Sequence, residues 1–302
     1  MNISFVIDVV IGVLFVSMIF SIINQKKPEL LNGKKKSSRF EKTRAANRKK
    51  DEDLLGRRFQ VPRDDKEPVS VNLYEIESEK PTGIVYILHG GNLLDGDADQ
   101  ADSFCRRMSQ QWNCMIVSVN YTKLDEQKPP YQQDEIIDTV LYFSQRATFY
   151  HIDPSRGAFV GFSGGAYLMM GAAAILATKG YLVKGMIAFY PIIDDSLVQL
   201  ADQHLIQTPV TFVTCENEQE NQMVDTLVEH IRQAGTECDV RHYESALTGF
   251  IEVNNPEYEN NKFYRNQSPA LHTEEQKTYA SACEIWMGGV LERYFEENGE
   301  RE

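Results

Sequence analysis

The stretch Gly161-Phe162-Ser163-Gly164-Gly165 decides how this chain is expected to fold. It follows the apolar run Ala158-Phe159-Val160 and precedes a long segment rich in alanine and methionine that starts at Ala166. This order predicts a strand, a sharp turn and a helix. Glycines around a serine indicate a strained turn in which two backbones approach so closely that Cβ atoms have no room. Such a turn exposes the Ser163 hydroxyl at the carboxyl end of a sheet, above a helix amino terminus, as a nucleophilic serine requires.

A second glycine motif, His89-Gly90-Gly91, lies about seventy residues upstream and follows the strand-like run 83–88. A glycine-rich loop after a strand can supply backbone N–H groups to a developing oxyanion, and the residue after the nucleophile supplies another. We therefore predict an oxyanion hole formed by Gly90, Gly91 and Gly164. Either motif alone is compatible with an ordinary turn, but their order and spacing favour a common site.

Strands and helices are predicted to alternate beyond the first sixty-seven residues. The predicted strands cover residues 69–76, 84–88, 115–119, 158–161, 183–190, 210–214 and 239–243, and the predicted helices cover 99–112, 132–149, 164–179, 223–234 and 274–297. This alternation predicts an α/β fold with a mostly parallel, twisted sheet and helices on both faces. Ligands of such sheets bind at the carboxyl ends of the strands, where Ser163 and the His89 motif are expected.

The N-terminal residues 3–23 are almost continuously apolar, which is long enough to cross a hydrocarbon core of ~30 Å. No Lys or Arg precedes this run and no small-residue cleavage site follows it, so a transmembrane helix is favoured over a cleaved signal peptide. Eleven Lys and Arg residues in 26–50 predict that the following domain faces the cytoplasm. We expect a single-pass membrane protein with an anchor (1–25), a polybasic linker or short cap (26–67) and an α/β domain (68–302).

Charge divides the chain into two unequal parts. The whole chain carries −13, but the basic linker offsets much of the acidity, so residues 51–302 carry about −21. Such a domain repels phosphate backbones, and we predict no nucleic-acid partner. The linker is expected either to contact anionic lipid or to be a solvated spacer.

Metal and cofactor chemistry finds no support in the sequence. The five cysteines lack C-x-x-C spacing and are odd in number, as expected of reduced, mostly buried thiols: Cys105, Cys114, Cys215, Cys238 and Cys283. There is no His/Cys ligand cluster and no phosphate-binding glycine motif, so we predict neither a metal nor a cofactor.

With both glycine motifs placed, residues 68–298 resemble the hormone-sensitive-lipase-like branch of the α/β-hydrolases, the fold-3 esterases. Further landmarks follow in the family's order: Asn92 and Gly96-Asp97, Val119-Asn120-Tyr121, Pro130-Tyr131 with Asp134, Ile152-Asp153-Pro154-Ser155-Arg156, and Tyr190-Pro191. The turn that carries the nucleophile, called the elbow (residues 161–165 here), usually reads GDSAGG in this family. Here Phe162 and Gly164 replace its Asp and Ala without enlarging the turn. The resemblance implies a serine hydrolase that acts on carboxylic esters or amides through Ser163.

The resemblance also implies a triad in the chain order serine, acid, histidine. The family's acid position falls best on Glu218, with Glu216 as second choice and Asp194 or Asp195 as less favoured alternatives. The histidine position of the family's His-Gly-Phe turn is occupied by Thr248, which is followed by Gly249-Phe250. Threonine is no general base near neutral pH, and in one serine hydrolase loss of the triad histidine costs ~10⁶ in turnover.

Three interpretations of Thr248 stay open at this stage. His272, before the terminal helix, or His242, on the last predicted strand, acts as the base in its place. Alternatively, the protein is a pseudoenzyme that binds an acyl-like ligand or a protein partner. In the third interpretation, the protein is an active enzyme in which Thr248 was introduced or is a variant found in one strain. The other histidines are expected to be remote from the site or, for His89, structural: His89, His151, His204 and His230.

Overall fold

An eight-stranded sheet organises the protein, seen here as a computed structural model that describes residues 48–257 and 269–296, apart from the side chains of Glu218 and Pro269. The strands lie in the order β1-β2-β4-β3-β5-β6-β7-β8. Strand β2 pairs antiparallel with β1 and β4, and all other neighbours are parallel. Their bounds are β1 Arg57–Arg63, β2 Lys66–Tyr74, β3 Thr82–Leu88, β4 Cys114–Val119, β5 Ile152–Phe162, β6 Gly185–Phe189, β7 Val210–Thr214 and β8 Cys238–His242.

The connections between the strands are mostly helical. The α-helices are α1 Asp102–Gln111, α2 Tyr131–Gln145, α3 Ala147–Tyr150, α4 Gly164–Thr178, α5 Asp195–Asp202, α6 Glu218–Gln233 and α7 Glu274–Glu296. Short 3-10 helices lie at Asp51–Asp53, Ala98–Ala101, Phe250–Asn254 and Pro269–His272.

Two hydrophobic layers cover the two faces of the sheet. In β3, Ile84, Tyr86 and Leu88 join the layer that contains most of α4, whereas Val85 and Ile87 join the layer that contains residues of α1 and α7. Because both faces are buried, the central strands are continuous apolar runs rather than alternating ones. The predicted fold class, a mostly parallel sheet with helices on both faces, is thereby confirmed.

One strand and one α-helix were not predicted from the sequence. Strand β1 lies inside the stretch 26–67 that we assigned to a linker or cap, so the sheet begins before the predicted boundary at residue 68. Its sequence is polar and contains Pro62, which is tolerated because β1 is an edge strand. Helix α5 is only eight residues long and begins with Asp194 as its N-cap, whose side chain accepts a hydrogen bond from Ser196 N.

An ion cluster attaches the start of the described chain to helix α1. The Lys49 ammonium lies 2.7 Å from Asp102 Oδ2 and 2.7 Å from Glu257 Oε1. The Asp102 side chain is fully buried and also accepts hydrogen bonds from Tyr74 Oη and Leu55 N. Residues 49–55 are thus fixed to the domain ahead of its first strand.

Within residues 48–257 and 269–296, none of the helices has both the length and the apolar character needed to span a membrane. The predicted anchor, residues 3–23, and most of the polybasic segment lie outside the described residues.

Candidate active site

Ser163 occupies the turn between β5 and α4. Its backbone angles, φ of 49° and ψ of −113°, lie outside the regions that residues other than glycine ordinarily adopt. Its N–H donates to Phe189 O at 2.9 Å. A Cβ on Gly165 would lie 2.3 Å from Leu88 O, and one on Gly161 would lie 2.6 Å from Ala166 Cα. The glycines therefore permit the close approach of backbones that the sequence pattern predicted. Ser163 is half-buried, and its Oγ makes no hydrogen bond to any residue in the described part of the chain.

The oxyanion loop, residues 89–97, lies against this turn. A Cβ on Gly90 would lie 3.7 Å from Ser163 Cβ, and one on Gly164 would lie 3.0 Å from Leu93 N. Among the described residues, none accepts a hydrogen bond from the backbone N–H of Gly90, Gly91 or Gly164. Unpaired backbone donors beside a serine are the groups that can stabilise an oxyanion.

His89 supports the oxyanion loop from behind. Its ring stacks on Tyr121 with centroids 4.2 Å apart, and Tyr121 Oη donates to His89 O at 2.8 Å. His89 Nδ1 lies 2.6 Å from Gly90 O. Burial, reinforced by the nearby Lys123 ammonium, lowers the pKa of His89 well below its usual value, so the ring is neutral. His89 is therefore a structural residue of the loop, as expected from its position in the motif.

The Thr248 turn, residues 246–250, carries the position that the family resemblance gives to the base. The exposed Thr248 Oγ1 lies 3.5 Å from Cys215 Sγ, and Glu216 N donates to Ala246 O at 2.8 Å. The turn therefore packs beside the segment that follows β7, where the acid was predicted. Glu216 is exposed there, and Glu218 is the first residue of α6, with a side chain outside the described residues.

The remaining predicted acids have another role. Asp194 Oδ1 accepts hydrogen bonds from Ser196 N at 3.1 Å and Ser196 Oγ at 3.0 Å, and Asp195 lies in the first turn of α5. Burial raises the pKa of Asp194, and the hydrogen bonds from Ser196 oppose that rise. The contacts of Asp194 are those of a helix cap.

None of the histidines is hydrogen-bonded to Ser163 within the described residues. His242 ends β8 and its Nδ1 lies 2.9 Å from Thr214 Oγ1, while His272 is exposed in the 3-10 helix before α7. The other three lie elsewhere: His151 in an exposed turn before β5, His204 beside Ala234 O, and His230 paired with Asp202. The structure therefore brings Ser163 together with Gly90 and Gly164, and among the described residues neither His242 nor His272 is hydrogen-bonded to it.

One acidic residue near the site was missed by the sequence analysis. Glu252 lies in the 3-10 helix after the Thr248 turn and accepts a hydrogen bond from Tyr190 Oη. Together with Gly90 and Phe162 it lines a small cavity of about 20 Å³ beside the oxyanion loop. Burial raises the pKa of Glu252 to about 7, and the bond from Tyr190 opposes this. No motif marks this position, because its neighbours come from distant parts of the chain.

The small cavity also limits what the site can hold in this conformation. A volume of about 20 Å³ is near the room required by one water molecule. A larger ligand therefore has to approach Ser163 from its exposed side or widen the cavity around Glu252.

Comparisons with known proteins agree with this architecture. Residues 84–208 match a protein-family model described as "alpha/beta hydrolase fold". Similar solved structures include a thermophilic carboxylesterase cloned from a metagenomic library (16% identity, 85% of this chain and 95% of that one, TM-score 0.64). A fungal esterase of Rhizomucor miehei is 14% identical over 90% of this chain and 92% of that one, with a TM-score of 0.67. A bacterial heroin esterase is 15% identical over 86% of this chain and 93% of that one, with a TM-score of 0.65. The sheet order, the strained serine turn and these matches together show that the chain has an α/β-hydrolase fold.

Proposed function

We propose that this protein is a serine hydrolase of carboxylic esters, with Ser163 as nucleophile and Gly90, Gly91 and Gly164 as oxyanion-hole donors. The observation that carries the proposal is a strained, half-buried serine that lies against the loop containing Gly90, where the backbone N–H groups of Gly90, Gly91 and Gly164 have no partner in the described chain. Several structures with this fold are esterases, which supports ester chemistry over other acyl transfers. The sequence further suggests a protein anchored through residues 3–23 with its domain in the cytoplasm.

Proton transfer from Ser163 depends on a second residue. Attack by Ser163 requires a base to accept the hydroxyl proton. Thr248 occupies the position that the family resemblance gives to that base, and Glu216 or Glu218 would orient a base placed there. His242 and His272 remain the proposed alternatives, and either would have to move toward Ser163 to act.

A fluorophosphonate probe tests the proposal without knowledge of the substrate. The full chain in detergent is treated with the probe, and Ser163→Ala is the matched control. We expect Ser163 to be labelled in the unchanged protein and the label to be lost in the variant. A folded protein that is never labelled would contradict the assignment of Ser163 as an activated nucleophile.

A specific observation also favours a second function. Because the Thr248 hydroxyl approaches a cysteine thiol and none of the described histidines is bonded to Ser163, the fold also suits a pseudoenzyme that binds an acyl-like ligand or a protein partner. For this alternative, we expect a boronic or phosphonic acid to bind reversibly. We also expect ester turnover to be the same in the unchanged protein and in Ser163→Ala.

A further inference from the structure

A buried lysine, Lys123, contacts the His89 ring at the start of the oxyanion loop. Lys123 is only 3% exposed, which is rare for a lysine and requires partners for its ammonium. Its Nζ lies 3.0 Å from His89 Nε2 and 3.3 Å from Asn120 Oδ1, and it also donates to Tyr121 O. Nζ stands 4.3 Å from the centre of the Tyr121 ring, on which His89 is stacked.

These contacts decide the protonation of the His89 ring. A lysine ammonium can donate hydrogen bonds but cannot accept them. His89 Nε2, 3.0 Å away, must therefore be the unprotonated nitrogen, and the ring proton sits on Nδ1. Nδ1–H then donates to Gly90 O at 2.6 Å. The lysine thus favours the tautomer of His89 whose Nδ1–H can donate to the loop.

The Gly90 carbonyl in turn orients a donor of the oxyanion hole. The peptide between Gly90 and Gly91 is trans, and in a trans peptide the C=O and N–H bonds point in opposite directions. Holding Gly90 O against the His89 ring therefore turns the Gly91 N–H to the other side of the loop. Gly96 makes room for this arrangement, since a Cβ there would lie 2.4 Å from Gly90 O.

We propose that Lys123 is a positioning residue for the oxyanion hole, acting through the tautomer of His89 on the Gly90–Gly91 peptide. This inference rests on the proposed function, because it assigns a role to the loop in stabilising an oxyanion. Two buried carboxyl groups, Asp97 and Glu135, also feel the Lys123 charge, which opposes the rise in their pKa caused by burial. Lys123 is therefore held from several sides, and no other described side chain is hydrogen-bonded to His89 Nε2.

The test compares Lys123→Met, Lys123→Gln and the exposed control Lys128→Met, each in the full chain in detergent. Histidine labelled with ¹⁵N reports the tautomer of His89, and the signal is assigned by its absence from His89→Gln. We expect a neutral ring protonated on Nδ1 in the unchanged protein, in Lys123→Gln, which keeps an N–H donor, and in Lys128→Met. In Lys123→Met, which has no donor, the proton should move at least partly to Nε2.

The same variants are compared for the rate of Ser163 labelling by the fluorophosphonate probe. Loss of a single oxyanion donor costs about 10²- to 10³-fold, so a misdirected donor in Lys123→Met should slow labelling roughly 10- to 100-fold. A His89 protonated on Nε2 in the unchanged protein, or an unchanged tautomer in folded Lys123→Met, would overturn the inference. If Lys123→Met does not fold, a His89 protonated on Nε2 in the unchanged protein still overturns the inference. If Ser163 is never labelled, the proposed function fails while the tautomer comparison still decides the role of Lys123.

Discussion

The oxyanion loop and the Thr248 turn are held in different ways. The oxyanion loop is buried against the elbow, and its backbone is fixed by the His89 ring, the Tyr121 hydroxyl and the Lys123 ammonium. In the Thr248 turn, the side chain at the position of the expected base is exposed, and its hydroxyl lies 3.5 Å from Cys215 Sγ.

This difference separates residues that the fold requires from residues that only chemistry requires. Replacing a glycine of the elbow would force backbones apart, so these glycines persist whether or not the protein is a catalyst. A residue at position 248 is exposed and can change with little effect on folding. The Thr248 turn is therefore the better place to ask whether catalysis has been kept.

The largest effect is expected from Thr248→His, which tests the chemical side directly. If the oxyanion loop is competent and only the base is missing, a histidine here should raise ester hydrolysis and probe labelling about 10²- to 10⁴-fold, the usual worth of a general base. Thr248→Asn, which is polar but not basic, is the control and should give no gain. Equal rates of hydrolysis for the two variants would show that Ser163 and the oxyanion loop do not support catalysis even when a base is present.

Gly165→Ala tests the structural side. Its Cβ would lie 2.3 Å from Leu88 O and 2.5 Å from His89 O, both backbone atoms that cannot step aside. We expect the free energy of unfolding to fall by about 3 kcal/mol or more. Gly289→Ala in helix α7 meets nothing within 4 Å and should be neutral or stabilising by up to about 1 kcal/mol. Similar stabilities in chemical denaturation would refute this account of the elbow.

Lys49→Met extends the comparison to the outer support of α1. The variant leaves the fully buried Asp102 carboxylate without its cation, although Lys49 itself is partly exposed. We expect a loss of about 2 kcal/mol in urea denaturation, less than for a fully buried pair. Lys50→Met, in which an exposed contact to Glu52 is lost, should change stability by less than about 0.5 kcal/mol. A Lys49→Met protein as stable as Lys50→Met would contradict a structural role for the cluster.

The smallest effect concerns Glu252, which follows the Thr248 turn and lines the small cavity beside the oxyanion loop. Its pKa of about 7 in the folded protein exceeds the ordinary value of 4.5, so the protonated form favours folding below pH 4.5 and this contribution is lost as the pH rises through 7. Between pH 5 and pH 8, the unfolding free energy of Glu252→Gln should rise relative to the unchanged protein by about 1–2 kcal/mol. The exposed Glu244→Gln should show no such trend. Parallel pH profiles for all three proteins would rule out this titration.

Much of the fold could be predicted because its central elements carry strong local patterns. Strand β7 was predicted with its observed bounds, and β3, β4 and helix α4 differ from the observed elements by only one or two residues at an end. Buried strands are short apolar runs, and the elbow needs glycines at fixed positions. Strand β1 escaped prediction because it is a polar edge strand with few inward side chains.

The site was only partly predictable for a different reason. Ser163 and its glycines form a contiguous motif, whereas the supports of the loop come from residues far apart in the chain. Lys123 lies thirty-four residues after His89, and Glu252 meets Tyr190 across sixty-two. Sequence spacing contains no information about such pairs until the sheet order is known.

The cluster around Lys49 has a practical consequence for how this domain is separated from its N-terminal segment. Strand β1 begins at Arg57, yet Lys49 binds two carboxylates that belong to α1 and to the residues just before position 258. A chain that begins at residue 51 would keep all eight described strands and still lack the Lys49 ammonium. A cut that keeps this cation lies before Lys49, so the folded unit begins earlier than its first strand.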